Sequence, residues 1–231
     1  MTRTARYALP AALCTLVLVL LMSGINGYWD MDTLDRAMAD RASGLRSPAL
    51  TNAMLAITSL GDGAYLRPMG ALVVIALAMQ RAWRPAGATA TAFLLLPLLV
   101  NLIKSGVART RPTIDLYAGA DGFSFPSGHA ANSALIYGAI AVLVLRSLTG
   151  PAIVIAASRV YVGAHWPSDA LAGLALGGLL LTGLAWVLAH PSHPPATPRT
   201  TYVLLACFAL TAPPYAWYAL PFAHTFYEAL S

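Results

Sequence analysis

Charge is scarce in this chain. Asp, Glu, Lys and Arg make up 10% of its 231 residues, where a soluble domain carries about 25%. So little charge cannot clothe a water-facing surface, which excludes an ordinary soluble domain. Basic runs are missing too, and the formal charge is only +5, so nothing offers a nucleic acid an electrostatic footprint. Cysteine is nearly absent. Cys14 and Cys207 each sit inside an apolar stretch and read as buried thiols, not as a disulfide.

Hydrophobic residues supply 58% of the chain, and several runs approach the roughly 20 apolar residues needed to cross a bilayer. They lack the alternation of barrel strands. The expectation is an all-α polytopic membrane helix bundle, a single membrane domain over residues 1–231. Six core spans are expected: Tyr7–Ile25, Tyr65–Met79, Ala86–Leu102, His129–Arg146, Leu148–Val162 and Asp169–Leu188. At 1.5 Å per residue the fifth covers only about 22 Å of a roughly 30 Å hydrocarbon core. Its far end, with Ser158 and Arg159, should therefore lie below the membrane surface.

Residues 28–62 are polar enough to lie outside the membrane. Met31, Leu34 and Met38 recur there at helical spacing beside Asp35, Arg36 and Arg41, which suits an amphipathic surface helix, a lid over a site, or a loop with one helical turn. The C-terminal extension, residues 191–231, opens on a linker with four prolines between Pro191 and Pro198. Tyr202–Phe222 is apolar enough for a seventh span, but Pro213-Pro214 interrupts it, so crossing and lying at the interface both stay open.

Three polar islands stand out against this background, between about residues 100 and 170. They are Lys104 with Arg111-Pro112, then Pro126-Ser127-Gly128-His129, then Ser158-Arg159 with His165 and Asp169. The first closes the third span, the second opens the fourth, and the third bridges the fifth and sixth. Helices that cross alternately bring all three to the same side. Arg3 and Arg6 beside the first span favour an inside N-terminus, which puts the islands outside.

Each island has a plainer reading. Lys104 and Arg111 could be snorkelling anchors, Ser127 a helix cap, and the third island a charged loop paired with itself. Taken together they hold an anion and attack it. A helix starting near His129 presents backbone N–H groups to a phosphate, and Lys104, Arg111 and Arg159 add positive charge. His165 and Asp169 are four apart around Pro167, a residue suited to the first turn of a helix. A carboxylate on one imidazole nitrogen leaves the other bare, as in nucleophile–base–orienter arrangements. His165 is thus the expected nucleophile, since His129 has no acidic neighbour in sequence. His129 is the expected general acid.

Two histidines and an aspartate could also hold zinc. Three nearby cations oppose that, and metal-dependent phosphate chemistry wants clustered carboxylates, where only Asp115 and Asp121 accompany Asp169. No metal and no other cofactor is expected. A transporter or channel that binds an anion at midplane is the alternative from another class.

The three islands resemble the signature of the phosphatidic acid phosphatase type 2 superfamily: Lys, six residues, Arg-Pro; Pro-Ser-Gly-His; Ser-Arg, five residues, His, three residues, Asp. Lys104–Pro112, Pro126–His129 and Ser158–Asp169 match it without a gap. The resemblance implies a metal-independent membrane phosphatase with a phosphohistidine on His165, His129 as proton donor, and Lys104, Arg111, Ser127, Gly128 and Arg159 on the phosphate. It implies a lipid phosphate or diphosphate as substrate, with phosphotransfer to another lipid as a variant within the family. An outward-facing site in a compact chain points to bacterial envelope lipids, undecaprenyl diphosphate or phosphatidylglycerol phosphate ahead of phosphatidic acid. The expected location is the bacterial inner membrane, with the site facing the periplasm or cell exterior.

Overall fold

Long apolar runs satisfy their backbone polar groups internally in lipid only as helices or closed barrels, and the computed structural model is helical. It describes residues 3–112, 122–144, 150–190 and 198–228, with no strand among them. In chain order the helices are α1 (Arg3–Ile25), α2 (Met31–Gly44), α3 (Pro48–Ser59), α4 (Gly63–Met79), α5 (Trp83–Val107), α6 (Gly128–Val144), α7 (Gly150–Tyr161), α8 (Pro167–Leu188) and α9 (Pro198–Glu228). The chain is a polytopic membrane helix bundle. Four helices, α1, α5, α8 and α9, are each long and apolar enough to cross a membrane. The pair α3 and α4, bent by 42° at a short break, passes the same test as one broken span. The helices α6 and α7 are shorter, as the fifth expected span already suggested for α7.

Local chemistry explains several boundaries. The carboxylate of Asp30 accepts the Thr33 N–H at 3.0 Å and starts α2. Ser47 caps α3 through the Leu50 N–H, with Pro48 in its first turn. After α5 the chain turns sharply at Ala108, a left-handed residue with φ 50°, a conformation that disfavours an L side chain by about 1–2 kcal/mol. That turn sends Arg109 and Arg111 back toward the helix ends.

Two expectations change here. Pro48–Ser59 falls inside the segment expected to be extramembrane, yet it is apolar, buries Leu55 and Thr58, and packs against α7 and α9. The prolines at 213 and 214 do not interrupt α9, which runs through them; helices in membranes tolerate proline when neighbours satisfy the freed groups. The expected linker at 191–198 lies outside the described residues except for Pro198. Cys14 and Cys207 are free thiols, each partly exposed on a helix.

The α6–α8 contact is the most extensive between any two helices, and small residues make it so. A Cβ on Gly173 would strike the Ser127 carbonyl and Ala130, and one on Gly177 would strike the Ala131 carbonyl and Ala134. Two glycines four apart thus let the backbones meet, as small residues do between membrane helices. The close approach sets the start of α6 beside the start of α8, where Ser127 N–H donates to the Asp169 carbonyl at 2.9 Å. Around this pair, Leu96, Val100, Leu135, Leu176 and Leu184 form one core cluster, and Leu66, Met69, Val73, Ile136 and Ile155 belong to another.

Candidate active site

The three islands converge. Lys104 on α5, Arg111 after it, Gly128 and His129 on α6, Arg159 on α7 and His165 before α8 line one cavity of about 220 Å³. Asn101 and Asn132, which the sequence did not single out, complete its polar wall. Ser127 is fully buried at the start of α6, and Asp169 is fully buried behind His165. Asp115 and Asp121 lie outside the described residues.

His165 is 2% exposed. Its Nδ1 lies 3.6 Å from Asp169 Oδ2, beyond a direct hydrogen bond, and the Ser124 hydroxyl fills the gap. Ser124 Oγ donates to Asp169 Oδ2 and sits 3.3 Å from His165 Nδ1. On the other side of the ring, Arg111 Nη1 is 3.2 Å from Nε2. A guanidinium can only donate, so Nε2 is the acceptor and the ring proton is on Nδ1, pointing at Ser124. Both neighbours select the tautomer that a nucleophilic Nε2 requires. Burial, then the charges of Arg159, Arg111 and Lys104, push the His165 pKa well below the ordinary imidazole value.

Asp169 is held from three directions. As the third residue of α8 it reaches back to the Trp166 N–H at 2.9 Å, the carboxylate half of a capping box. Ser124 is the second contact. The third is Arg109, whose Nη1 donates to Asp169 Oδ1 at 3.0 Å. Arg109 Nη2 in turn contacts Asp35 at 2.7 Å and Asp32 at 3.1 Å. Asp35 accepts from the Ser168 N–H at 2.9 Å and from the Ser168 hydroxyl at 2.5 Å. The helix α2, expected as a surface helix, a lid or a loop with one helical turn, is thus strapped through Asp35 and Arg109 to the carboxylate of Asp169. Arg109 and Asp35 escaped the sequence reading. The only available signal was Asp35 beside the apolar positions of α2, at a site where an exposed face was expected.

His129 does have an acidic neighbour, supplied by the fold and not by adjacent sequence. Asp62 Oδ1, from the α3–α4 break, is 2.6 Å from His129 Nε2.

The remaining groups suit an anion. Arg159 is 1% exposed and donates through Nη1 to Thr58 Oγ1 at 3.0 Å while facing the cavity. Lys104 Nζ donates to the Phe123 carbonyl, and Arg111 Nη1 donates to the Ala164 carbonyl at 2.6 Å. A Cβ on Gly128 would meet only Val100, at 3.8 Å. Protein packing therefore does not demand glycine there, whereas the cavity does, because a side chain would occupy the space in front of the α6 N–H groups. Gly128→Ala should accordingly fold with an unchanged melting temperature. Its KM for a lipid phosphate should rise about tenfold, the equivalent of roughly 1.4 kcal/mol. Among the described residues no group of three or more His, Cys, Asp or Glu side chains is placed to hold a metal.

Comparison with known proteins places the chain in a family. The family model of the PAP2 superfamily matches residues 81–192. The chain is 30% identical over 164 residues to phosphatidylglycerophosphatase B of Bacillus subtilis, covering 65% of this chain and 81% of that protein. It is 38% identical over 104 residues to lipid A 1-phosphatase of Rhizobium etli, covering 38% of this chain and 45% of the relative. A crystal structure of a transmembrane PAP2 type phosphatidylglycerolphosphate phosphatase from Bacillus subtilis superposes with a TM-score of 0.66 at 28% identity, covering 76% of this chain and 93% of that one. With the three islands gathered in one cavity of a membrane helix bundle, the chain belongs to the PAP2 superfamily and is a phosphatase.

Proposed function

We propose that the chain dephosphorylates membrane lipids through a covalent intermediate on His165. Nε2 attacks phosphorus while the bond to the lipid oxygen breaks, and His129 gives that oxygen a proton. Water then attacks the phosphohistidine, returning a proton to His129 as the P–N bond breaks. Lys104, Arg111, Arg159 and the α6 N-terminus with Ser127 and Gly128 neutralise the phosphoryl oxygens, the largest single contribution in sites of this kind. The observation that carries this reading is the His165 tautomer, fixed by Ser124 on one nitrogen and Arg111 on the other.

Phosphatidylglycerol phosphate is the favoured substrate, because a relative of which this chain covers 81% and a solved structure of which it covers 93% are named for it. Purified protein in detergent should release phosphate from phosphatidylglycerol phosphate faster than from phosphatidic acid, undecaprenyl diphosphate or lipid A. A higher rate on any of the other three would reassign the substrate. Three cations on the cavity wall do the work that a divalent ion does elsewhere. Release should therefore continue in EDTA and stop with orthovanadate, which takes a fifth ligand and mimics the in-line transition state. Activity lost to chelation and restored by magnesium would sink the metal-independent mechanism.

The site faces the periplasm in this reading, since Arg3 and Arg6 hold the N-terminus inside. With Cys14 and Cys207 replaced, a cysteine at the exposed Leu45, beside the site, should react with an impermeant thiol reagent in intact cells. A cysteine at the exposed Met79, at the opposite end of α4, should react only after lysis. The reverse pattern would turn the enzyme toward cytoplasmic-leaflet lipids.

A further inference from the structure

The α3–α4 break is built around the proton donor. Asp62 occupies the N-cap position of α4, where an aspartate ordinarily accepts a hydrogen bond from the first turn, but its side chain makes no cap bond. The carboxylate turns instead to His129 Nε2 at 2.6 Å. Its second oxygen accepts from the Tyr215 hydroxyl of α9 at 3.5 Å. The preceding residue makes the approach possible. A Cβ on Gly61 would lie 2.6 Å from Ile155 Cγ2 and 3.2 Å from His129 Cδ2, so any side chain there would push the break away from the imidazole.

Charge gives the contact a purpose. His129 faces the guanidiniums of Arg159 and Arg111, and the cavity adds Lys104 and His165. A proton donor must carry positive charge among these groups, and like charges oppose it. Asp62 supplies the opposite charge at contact distance.

We infer that Asp62 is a positioning residue for His129, giving the site two carboxylate–imidazole pairs. Asp169 serves the nucleophile, and Asp62 serves the group that moves protons. This rests on the phosphohistidine reading above. In the first half-reaction the P–O bond breaks as the N–P bond to His165 forms, and the imidazolium, held by Asp62 through Nε2, gives its other ring proton to the departing alkoxide. In the second half the neutral ring takes a proton from water as the water oxygen bonds to phosphorus and the N–P bond breaks. Asp62 holds the ring through both half-reactions and stabilises the cation that begins and ends the cycle.

The test uses leaving groups that differ in their need for a proton. An alkyl phosphate such as phosphatidylglycerol phosphate must be protonated as it leaves, whereas p-nitrophenyl phosphate releases a stable anion. Since general acid catalysis is worth about 10²–10⁴-fold, Asp62→Asn should lower the alkyl-to-aryl ratio of kcat by about 10- to 100-fold. The ratio is taken on one preparation, so partial misfolding cancels. Asp62→Glu, which keeps the charge, should restore part of the ratio, and Asp62→Asn should not lower it further in a His129→Ala background. An unchanged ratio in Asp62→Asn, or a further fall in the double variant, would overturn the assignment of Asp62. If the unsubstituted protein cleaved neither ester, the phosphatase reading itself would fail, a result distinct from either of these.

Discussion

His165→Ala is expected to abolish phosphate release, lowering kcat by about 10⁴-fold or more, as loss of the attacking group does in other covalent enzymes. Among the described residues no other nucleophile stands where Nε2 stands, between Arg111 and the cavity. Rapid acid-free quenching of the unsubstituted enzyme should trap a phosphoprotein that the variant lacks. Retained turnover in the variant would end the covalent mechanism. The same residue governs the pH response. Because burial and three cations hold the His165 pKa well below the ordinary value, Nε2 stays unprotonated as pH falls through about 6.5. Loss of the nucleophile therefore begins at lower pH than for a free imidazole. Phosphate-protectable inactivation by a histidine-acylating reagent, which needs the neutral ring, should stay constant through that range. A fall in its rate centred on 6.5 would show an ordinary histidine.

Arg109→Met is expected to be the most damaging change outside the signature. The guanidinium is 8% exposed and its partners Asp35 and Asp169 are 2% and 0% exposed. Removing it strands two buried carboxylates, and breaking a buried pair from one side costs about 3–5 kcal/mol. Turnover should fall as well, since Asp169 would lose the 3.0 Å contact that helps to orient it behind His165. Adding Asp35→Asn to Arg109→Met should recover stability, because one stranded charge disappears, but it should not recover turnover. Thermal melting in detergent and phosphate release separate the two effects. Equal melting temperatures for Arg109→Met and the unsubstituted protein would show that the strap carries no stability.

What could be read from the sequence was local. Each island keeps its residues within about a dozen positions, so spacing alone singled out His165, Asp169, His129 and three cations, and alternate crossing predicted that they would emerge on one side, as the shared cavity has it. The supporting groups come from far along the chain. Ser124 meets Asp169 across 45 residues, Asp62 meets His129 across 67, and Asp35 meets Ser168 across 133. No pattern in a single sequence encodes such pairings. The His165–Asp169 spacing suggested a direct bond, whereas the ring sits far enough away to admit a serine. The helix α3 went unread: Ser47-Pro48, which cap and open it, were not singled out, and the polar residues flanking it hid an apolar helix. In α9 the proline pair argued for a break by the rules of water-soluble helices, which are weaker where neighbouring helices surround the chain.

The contact between Arg111 and His165 bears on which lipids the enzyme ignores. The guanidinium donates to the nitrogen proposed to attack, so an incoming phosphate has to draw Arg111 away from it. A phosphate monoester, carrying up to two negative charges and three terminal oxygens, can compete for that guanidinium. A phosphodiester has one charge and two terminal oxygens, and it competes less well. The surrounding bilayer is made mostly of phosphodiesters and presents them to the cavity continuously. The Arg111–His165 contact thus sets a threshold that a terminal phosphate should clear more readily than the diesters of the membrane around it.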